Sequence, residues 1–182
     1  SHGWPAGLFD IWMVEKPRAA FHRAMWNDEP MVRIAVRDNA LDIDHGRDLW
    51  QWPNMGAIWN FPRAYEGLVI EVNTTTNCER VALFHNGNEM GVCRTADYPN
   101  HTITWCLPYR RGTLVAKGIN GTDTVAVHEI RTAGDAVRLK TTADRGKLMA
   151  DGQDLSYVQV ELLDKDGTLV QHADRRVKAS IE

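Results

Sequence analysis

The sequence predicts an all-β protein built as a β-sandwich, with one short helix near its N-terminus. Most of the chain from residue 31 onward consists of short segments that alternate apolar and polar residues or are rich in β-branched and aromatic types. Turn-forming Gly, Pro, Asn or Asp residues interrupt these segments roughly every 8–12 residues, which is typical of a sandwich. One segment alone, ahead of them, repeats its apolar residues with the period of a helix.

The helix is predicted in KPRAAFHRAMW, residues 16–26. Pro17 suits the first turn, where its fixed backbone angle is compatible with a helix and its missing N–H is not needed. Small and apolar side chains follow at helical spacing, and Asn27 and Pro30 then indicate where the helix ends.

The predicted strands fall into two sets, which we assign to domains at residues 31–133 and 134–182. The first set comprises MVRIAVR, GLVIEVNT, RVALFHN, HTITWCLP, GTLVAKGIN and DTVAVHEI. The second comprises AVRLKTTA, SYVQVELLD, TLVQHADR and RVKASIE. Three or four strands provide little inner face for two packed sheets. We therefore expect the second domain to be a minimal or truncated sandwich.

The clearest local feature is the segment NCERVALFHNGNEMG, which has the pattern of a β-hairpin. Asn86 and Gly87 separate two strand-like runs, and this dipeptide favours a type I′ turn because both residues tolerate positive φ. Alternation places Val81, Leu83 and His85 on one face of the first strand. The polar residues of the segment are accounted for by the turn, so we predict a structural hairpin and not a reactive site.

Composition and charge argue against several classes of partner. The net charge is −3 at pH 7, and the basic residues are scattered, with no run longer than pairs such as Arg110-Arg111. We therefore expect no nucleic-acid partner. No window approaches the ~18 apolar residues of a membrane helix, so we expect no membrane partner. The first ten residues lack the pattern of a secretory signal.

The three cysteines, Cys78, Cys93 and Cys106, are too few for a disulfide scaffold. All lie in apolar, strand-like surroundings, where we expect buried free thiols. One disulfide with one remaining thiol stays open as an alternative.

No motif nominates a catalytic residue, a metal site or a cofactor site. The seven histidines lack the short spacings of a zinc site, and no C-x-x-C, P-loop, G-x-S-x-G or G-x-G-x-x-G occurs. Most acidic residues lie in turn-like segments, where Asp favours local backbone hydrogen bonds. We predict no catalytic residue, no metal and no cofactor in this chain.

An aromatic cluster is the one candidate for ligand contact. The segment LWQWPNMGAIWNFP places Trp50, Trp52 and Trp59 within one loop-like stretch. Indole faces can stack on the C–H faces of sugars, so these three residues are candidate carbohydrate contacts. Large aromatic rings also cover cores and interfaces very often, and this alternative is favoured for each ring taken singly.

Three segments of the sequence resemble a known family. VNTTTNCERVALFHNGNEMG followed by ITWCLPYRRGTLVAKGINGTDTVAVHEIRTAG resembles the sandwich domain after the catalytic barrel in bacterial β-galactosidase-type enzymes of glycoside hydrolase family 2. ADGQDLSYVQVELLDKDGTLV is similar to the start of the next domain of those enzymes. GLFDIWMVEKPRAAFHRAMWNDEPMVRI is similar to the end of the (β/α)8 barrel and its connector, which assigns residues 1–30 to the barrel tail.

The resemblance implies an immunoglobulin-like sandwich and the beginning of a second one. It departs from the family pattern at His85, where a leucine is usual, and this exchange predicts a position near an edge or interface. The two catalytic glutamates of the family lie on barrel strands, and no motif here matches them.

The resemblance therefore implies a non-catalytic C-terminal part of a retaining glycosidase, which supports the barrel and contributes to the active-site rim. Its partners would be the barrel of the same chain, carbohydrate through the parent enzyme and, as an open alternative, further copies of itself. A periplasmic or secreted location is slightly favoured for the parent enzyme.

Two other functions remain open. The first is a free-standing carbohydrate-binding or adhesion module. The second is an enzyme that acts by itself through an unrecognised pair of carboxylates.

Overall fold

The computed structural model describes residues 7–10, 13–37, 55–171, 173 and 175–180. The chain divides into two compact units, 1–132 and 133–182, which are described separately below. Within the described residues the structure is dominated by antiparallel strands with one α-helix, so the prediction of an all-β sandwich fold is confirmed.

The helix α1 and eight strands form the described part of unit 1. Their bounds are α1 (Pro17–Trp26), β1 (Val32–Arg37), β2 (Met55–Gly56), β3 (Val69–Thr76), β4 (Arg80–His85), β5 (Asn88–Arg94), β6 (Thr102–Pro108), β7 (Thr113–Asn120) and β8 (Asp123–Arg131). The helix begins at Pro17 and ends directly before Asn27, as the sequence predicts. It is too short to cross a membrane, and no other helix in the described ranges is long and apolar enough to do so.

Two four-stranded sheets make up the sandwich of unit 1. One has the order β2–β1–β3–β6 and the other the order β5–β4–β7–β8, with antiparallel pairing throughout. Side chains from both sheets, contributed by β1, β3, β4, β6, β7 and β8, form one apolar core. Val72 of β3 and Leu83 of β4 are among its fully buried members.

Unit 2 contains the antiparallel pair β9 (Arg138–Ala143) and β10 (Val158–Leu163). The sequence predicts two further strands, TLVQHADR and RVKASIE. This prediction is wrong for the residues that the structure describes there. A single bridge joins Leu169 to Leu163, and residues 175–180 have no regular structure. Residues 172, 174, 181 and 182 lie outside the described residues. Alternation alone predicts these strands, but a strand also needs a neighbour with which to pair.

Candidate functional site

Of the three candidate carbohydrate contacts, Trp50 and Trp52 lie outside the described residues. Trp59 lies in the core of unit 1, with only 1% of its surface exposed. Its ring makes edge-to-face contacts with Tyr109, at 5.0 Å between ring centroids, and with His85, at 5.6 Å. Such contacts stabilise aromatic clusters beyond the effect of burial alone.

The ring nitrogens of Trp59 and His85 share one backbone carbonyl as their hydrogen-bond acceptor. Trp59 Nε1–H donates to the backbone oxygen of Arg110 at 3.0 Å, and His85 Nε2 lies 3.0 Å from the same oxygen. A carbonyl oxygen only accepts, so His85 carries its proton on Nε2. Because the indole of Trp59 is buried and its N–H is hydrogen-bonded within the protein, neither face of the ring is open to a sugar. The geometry of Trp59 therefore favours the core alternative, and a sugar contact stays a prediction.

His85 corrects one expectation from the sequence. The replacement of the usual leucine predicts a position near an edge or interface, but β4 is an inner strand and His85 is only 7% exposed. Its hydrogen bond to Arg110 gives Nε2 a partner, which helps a polar ring to occupy a buried position.

The hairpin turn is confirmed as predicted. Asn86 and Gly87 have φ values of 51° and 82°, the positive pair that a type I′ turn requires. The Asn86 side chain accepts from the Thr113 N–H at 2.8 Å and donates to the Arg111 carbonyl at 3.1 Å. The turn is thereby tied to the segment that leads into β7.

Asn77, at the other end of this segment, has a role that the sequence analysis missed. Its Oδ1 accepts from the Met31 N–H at 2.7 Å, and its Nδ2 donates to the carbonyls of Asn27 and Glu29, each at 2.8 Å. One amide thus joins the connector between α1 and β1 to the turn between β3 and β4. The available signal was an Asn directly after a strand-like run, but its partners lie more than 40 residues away in the sequence.

A surface depression opens at the same end of unit 1. Its volume is about 680 Å³, and it is lined by residues of the turn at 77–80 and of the segment at 94–101. We call this end, with these two segments, the Asn77 end. Arg80 and Arg94, which face each other on β4 and β5, both line the depression.

The outer side of α1 and the residues before it expose large apolar side chains. Trp26 is 76% exposed and stacks on His22 at 4.9 Å between ring centroids. Met25, Met13 and Val14 are also exposed, whereas Ala19, Ala20 and Ala24 face inward. We call Met13, Val14, Met25 and Trp26 the α1 surface.

The carboxylates with resolved pKa shifts are held by hydrogen bonds from nearby backbone N–H and hydroxyl groups. In unit 2, Asp164 accepts from the N–H groups of Gly134, Asp166 and Thr168 at 2.8–2.9 Å. These bonds, the one from Gly134 above all, lower the pKa of Asp164. Hydrogen bonds from Ser156 and the Tyr157 N–H lower the pKa of Asp144 in the same way. Within the described residues, no three His, Cys, Asp or Glu side chains converge as metal ligands would.

The cysteines differ from one another in burial. Cys78 is buried, Cys93 is half-buried and Cys106 is exposed, and all three are free thiols. The prediction of a buried thiol is correct for Cys78 and wrong for Cys106, because the side chain of Cys106 lies on the outer face of β6.

Family models match both units of the chain. A domain of unknown function, DUF4982, matches residues 67–126. The model of the glycoside hydrolase family 2 C-terminal domain 5 matches residues 139–182.

Several known proteins resemble the whole chain. The β-galactosidase BoGH2A of Bacteroides ovatus is 29% identical over 186 residues, covering 100% of this chain and 19% of that protein. A glycosyl hydrolase family 2 member from Bacteroides cellulosilyticus has a crystal structure with a TM-score of 0.86 and 33% identity, over 92% of this chain and 22% of that one. A β-glycosidase from Bacteroides vulgatus, 24% identical with a TM-score of 0.67 over 90% of this chain and 18% of that one, shares the fold.

The chain spans about a fifth of the length of the relatives that it matches. Its second unit matches a C-terminal domain of the family, and the similarity to a family 2 structure extends over 92% of the chain. Residues 139–182 thus match a C-terminal domain of glycoside hydrolase family 2, and the chain resembles the C-terminal region of enzymes of that family.

Proposed function

We propose that this region is a non-catalytic part of an enzyme that hydrolyses β-linked glycosides, with β-galactosides as the first substrate class to test. The similarity to a family 2 member over 92% of this chain is the observation that carries the proposal. The name of the B. ovatus relative, a β-galactosidase, supports the choice of sugar.

The chemistry of the described carboxylates fits a supporting role. A retaining glycosidase needs one carboxylate free to attack and a second that holds a proton, roughly 5 Å apart. The carboxylate of Asp164 instead accepts several backbone hydrogen bonds, which stabilise its charged form and hold its turn. Glu79 similarly accepts the Gly121 N–H at 2.8 Å and fixes the turn between β7 and β8.

The α1 surface is the proposed contact with the catalytic region of the same enzyme. Four large apolar side chains are exposed on α1 and on the residues before it, and exposed apolar surface of this kind often marks an interaction site. Trp26, the most exposed of them, combines a large apolar ring with an N–H donor, as anchors of interfaces commonly do. The relatives are about five times as long as this chain, so they contain ample further sequence to cover this surface.

The strand order supports an immunoglobulin-like assignment for unit 1. In that fold the first, second and fifth strands of the series share a sheet, and the third, sixth and seventh form the other. Here β1, β3 and β6 share one sheet, while β4, β7 and β8 lie in the other with β5 at its edge. This correspondence treats β2 and β5 as additions, and the fourth strand of the seven-strand plan has no counterpart among the described strands.

A hydrolysis assay tests the proposal. The 182-residue chain and the full-length enzyme would each be incubated with a chromogenic β-galactoside and, in parallel, a chromogenic β-glucuronide. We expect turnover by the full-length enzyme only. Turnover by the isolated, folded chain would instead establish a carboxylate pair within it.

The alternative function, a free-standing carbohydrate-binding module, makes a different prediction. Such a module would bind neutral oligosaccharides as an isolated chain, through exposed aromatic faces. The burial of Trp59 removes one of its three candidate contacts from solvent. Calorimetric titration with galacto-oligosaccharides should give no heat of binding if the supporting role is correct.

A further inference from the structure

The depression at the Asn77 end is large enough for a small molecule. Its volume of about 680 Å³ falls within the range typical of ligand pockets, roughly 300–1,000 Å³. Its lining combines the paired arginines Arg80 and Arg94 with the polar residues Asn100 and His101.

The two arginines are direct cross-strand partners on the outer face of β4 and β5. Like charges in this relation repel each other. Neither guanidinium has a carboxylate within ion-pair distance in the described parts of the chain. Arg80 donates one hydrogen bond, to the carbonyl of Gly121, and the remaining donors of both groups are left for solvent or a ligand.

Several of the neighbouring polar side chains are already engaged within the protein. Thr95 Oγ1 donates to the Cys78 carbonyl at 2.6 Å, and Tyr98 donates to the Cys93 sulfur at 3.5 Å. Glu79 also lines the depression, and its Oε2 accepts the Gly121 N–H. The lining thus contains two positively charged guanidinium groups and one carboxylate that is already hydrogen-bonded, so its net charge is positive.

We propose that this depression binds a small oxyanion, such as the carboxylate or sulfate group of a sugar, between Arg80 and Arg94. A guanidinium presents parallel N–H groups that match two oxygens of a carboxylate or sulfate. The site is independent of the proposed hydrolytic function.

The test is calorimetric titration of the 182-residue chain with galacturonate, galactose and inorganic sulfate at low ionic strength. Galacturonate and galactose differ in a carboxylate at C6, so a carboxylate-specific site binds the first and not the second. We expect binding of galacturonate, sulfate or both, weakened by added salt because screening reduces charge attraction. Binding of galacturonate would show that the site accepts an oxyanion carried by a sugar. Binding of sulfate alone would show that it accepts only the free ion. Absence of binding by both anions would overturn the proposal.

Substitution of the arginines locates the site. Arg94→Ala should weaken anion binding roughly tenfold, since it removes a charge-assisted, two-point contact. Arg94→Lys keeps the charge and should lose less. The control is Arg110→Ala, which removes an exposed arginine side chain from the opposite end of the sandwich and should leave affinity unchanged. Near-ultraviolet circular dichroism confirms that each variant is folded, and equal affinity in folded Arg94→Ala would overturn the assignment.

Discussion

At the scale of single residues, His128 provides a hydrogen-bond acceptor for a strand edge that has no neighbouring strand at Ile34. Its Nδ1 accepts the N–H of Ile34 at 3.1 Å, on the side of β1 away from β3. Among the described residues, β2 covers this edge only at Val36 and Arg37. The imidazole thus joins β8 of one sheet to β1 of the other, and it does so only while Nδ1 is unprotonated.

This arrangement predicts a loss of stability in mild acid. Burial, and then the nearby charge of Arg33, lower the pKa of His128 from 6.5 to about 4. Below pH 6.5 the unfolded chain therefore binds a proton at His128 that the folded chain does not bind. The free energy of unfolding consequently falls as the pH decreases toward 4. The half-buried position weakens the effect through solvent screening, and we expect a loss of about 1 kcal/mol between pH 7 and pH 5.

Urea unfolding at both pH values measures this loss. His128→Gln keeps an acceptor for Ile34 but does not titrate, so its unfolding free energy should change less over the same interval. An identical pH dependence in the variant would contradict the assigned role of His128.

Trp59 gives a second prediction at this scale. Trp59→Ala should reduce the unfolding free energy by about 3–5 kcal/mol, because it leaves a cavity in the core and removes a hydrogen bond to Arg110. Trp59→Phe fills much of the volume and should cost less. Denaturant unfolding measures both, while the KM of the full-length Trp59→Phe enzyme should remain unchanged. A raised KM with unaltered stability would restore the sugar contact that the sequence suggested.

At the scale of elements, the features that depend on nearby residues were predictable from the sequence. The hairpin at Asn86-Gly87 and the start of α1 at Pro17 depend on a few adjacent residues, and both were predicted correctly. Asn77 depends on partners brought close by folding, so its role was not visible. The same holds for Trp59, because composition does not distinguish a core indole from an exposed one.

Asn77 provides the prediction for the elements. Asn77→Ala removes three hydrogen bonds between the α1–β1 connector and the turn after β3. Because the connector carbonyls and the Met31 N–H lose their partner, we expect a loss of about 2–3 kcal/mol. Asn88→Ala, at an exposed position of β5, is the matched control and should have little effect.

Hydrogen exchange shows where the Asn77 substitution acts. The amide of Met31 should lose protection in Asn77→Ala and keep it in Asn88→Ala. Unchanged protection of Met31 in the first variant would contradict the role of Asn77 as the joint between helix and sandwich.

At the scale of the whole molecule, the sequence predicts unit 1 better than unit 2. Unit 1 has two sheets with a shared core, so each alternating segment finds a partner and forms its strand. In unit 2 the paired strands β9 and β10 keep Leu139, Val158 and Val160 exposed. Local alternation was the same in both units, and the difference lies in the availability of neighbouring strands.

The central claim is that this region supports a catalytic region through the α1 surface, and Trp26→Ala in the full-length enzyme tests it most directly. In the isolated chain Trp26 is exposed, so its removal should leave stability nearly unchanged. In the full-length enzyme it should lower the melting temperature by several degrees, because an interface anchor is lost. Leu68→Ala, an exposed apolar position at the other end of the sandwich, is the control. Equal melting temperatures for the Trp26→Ala and unsubstituted full-length enzymes would contradict the account.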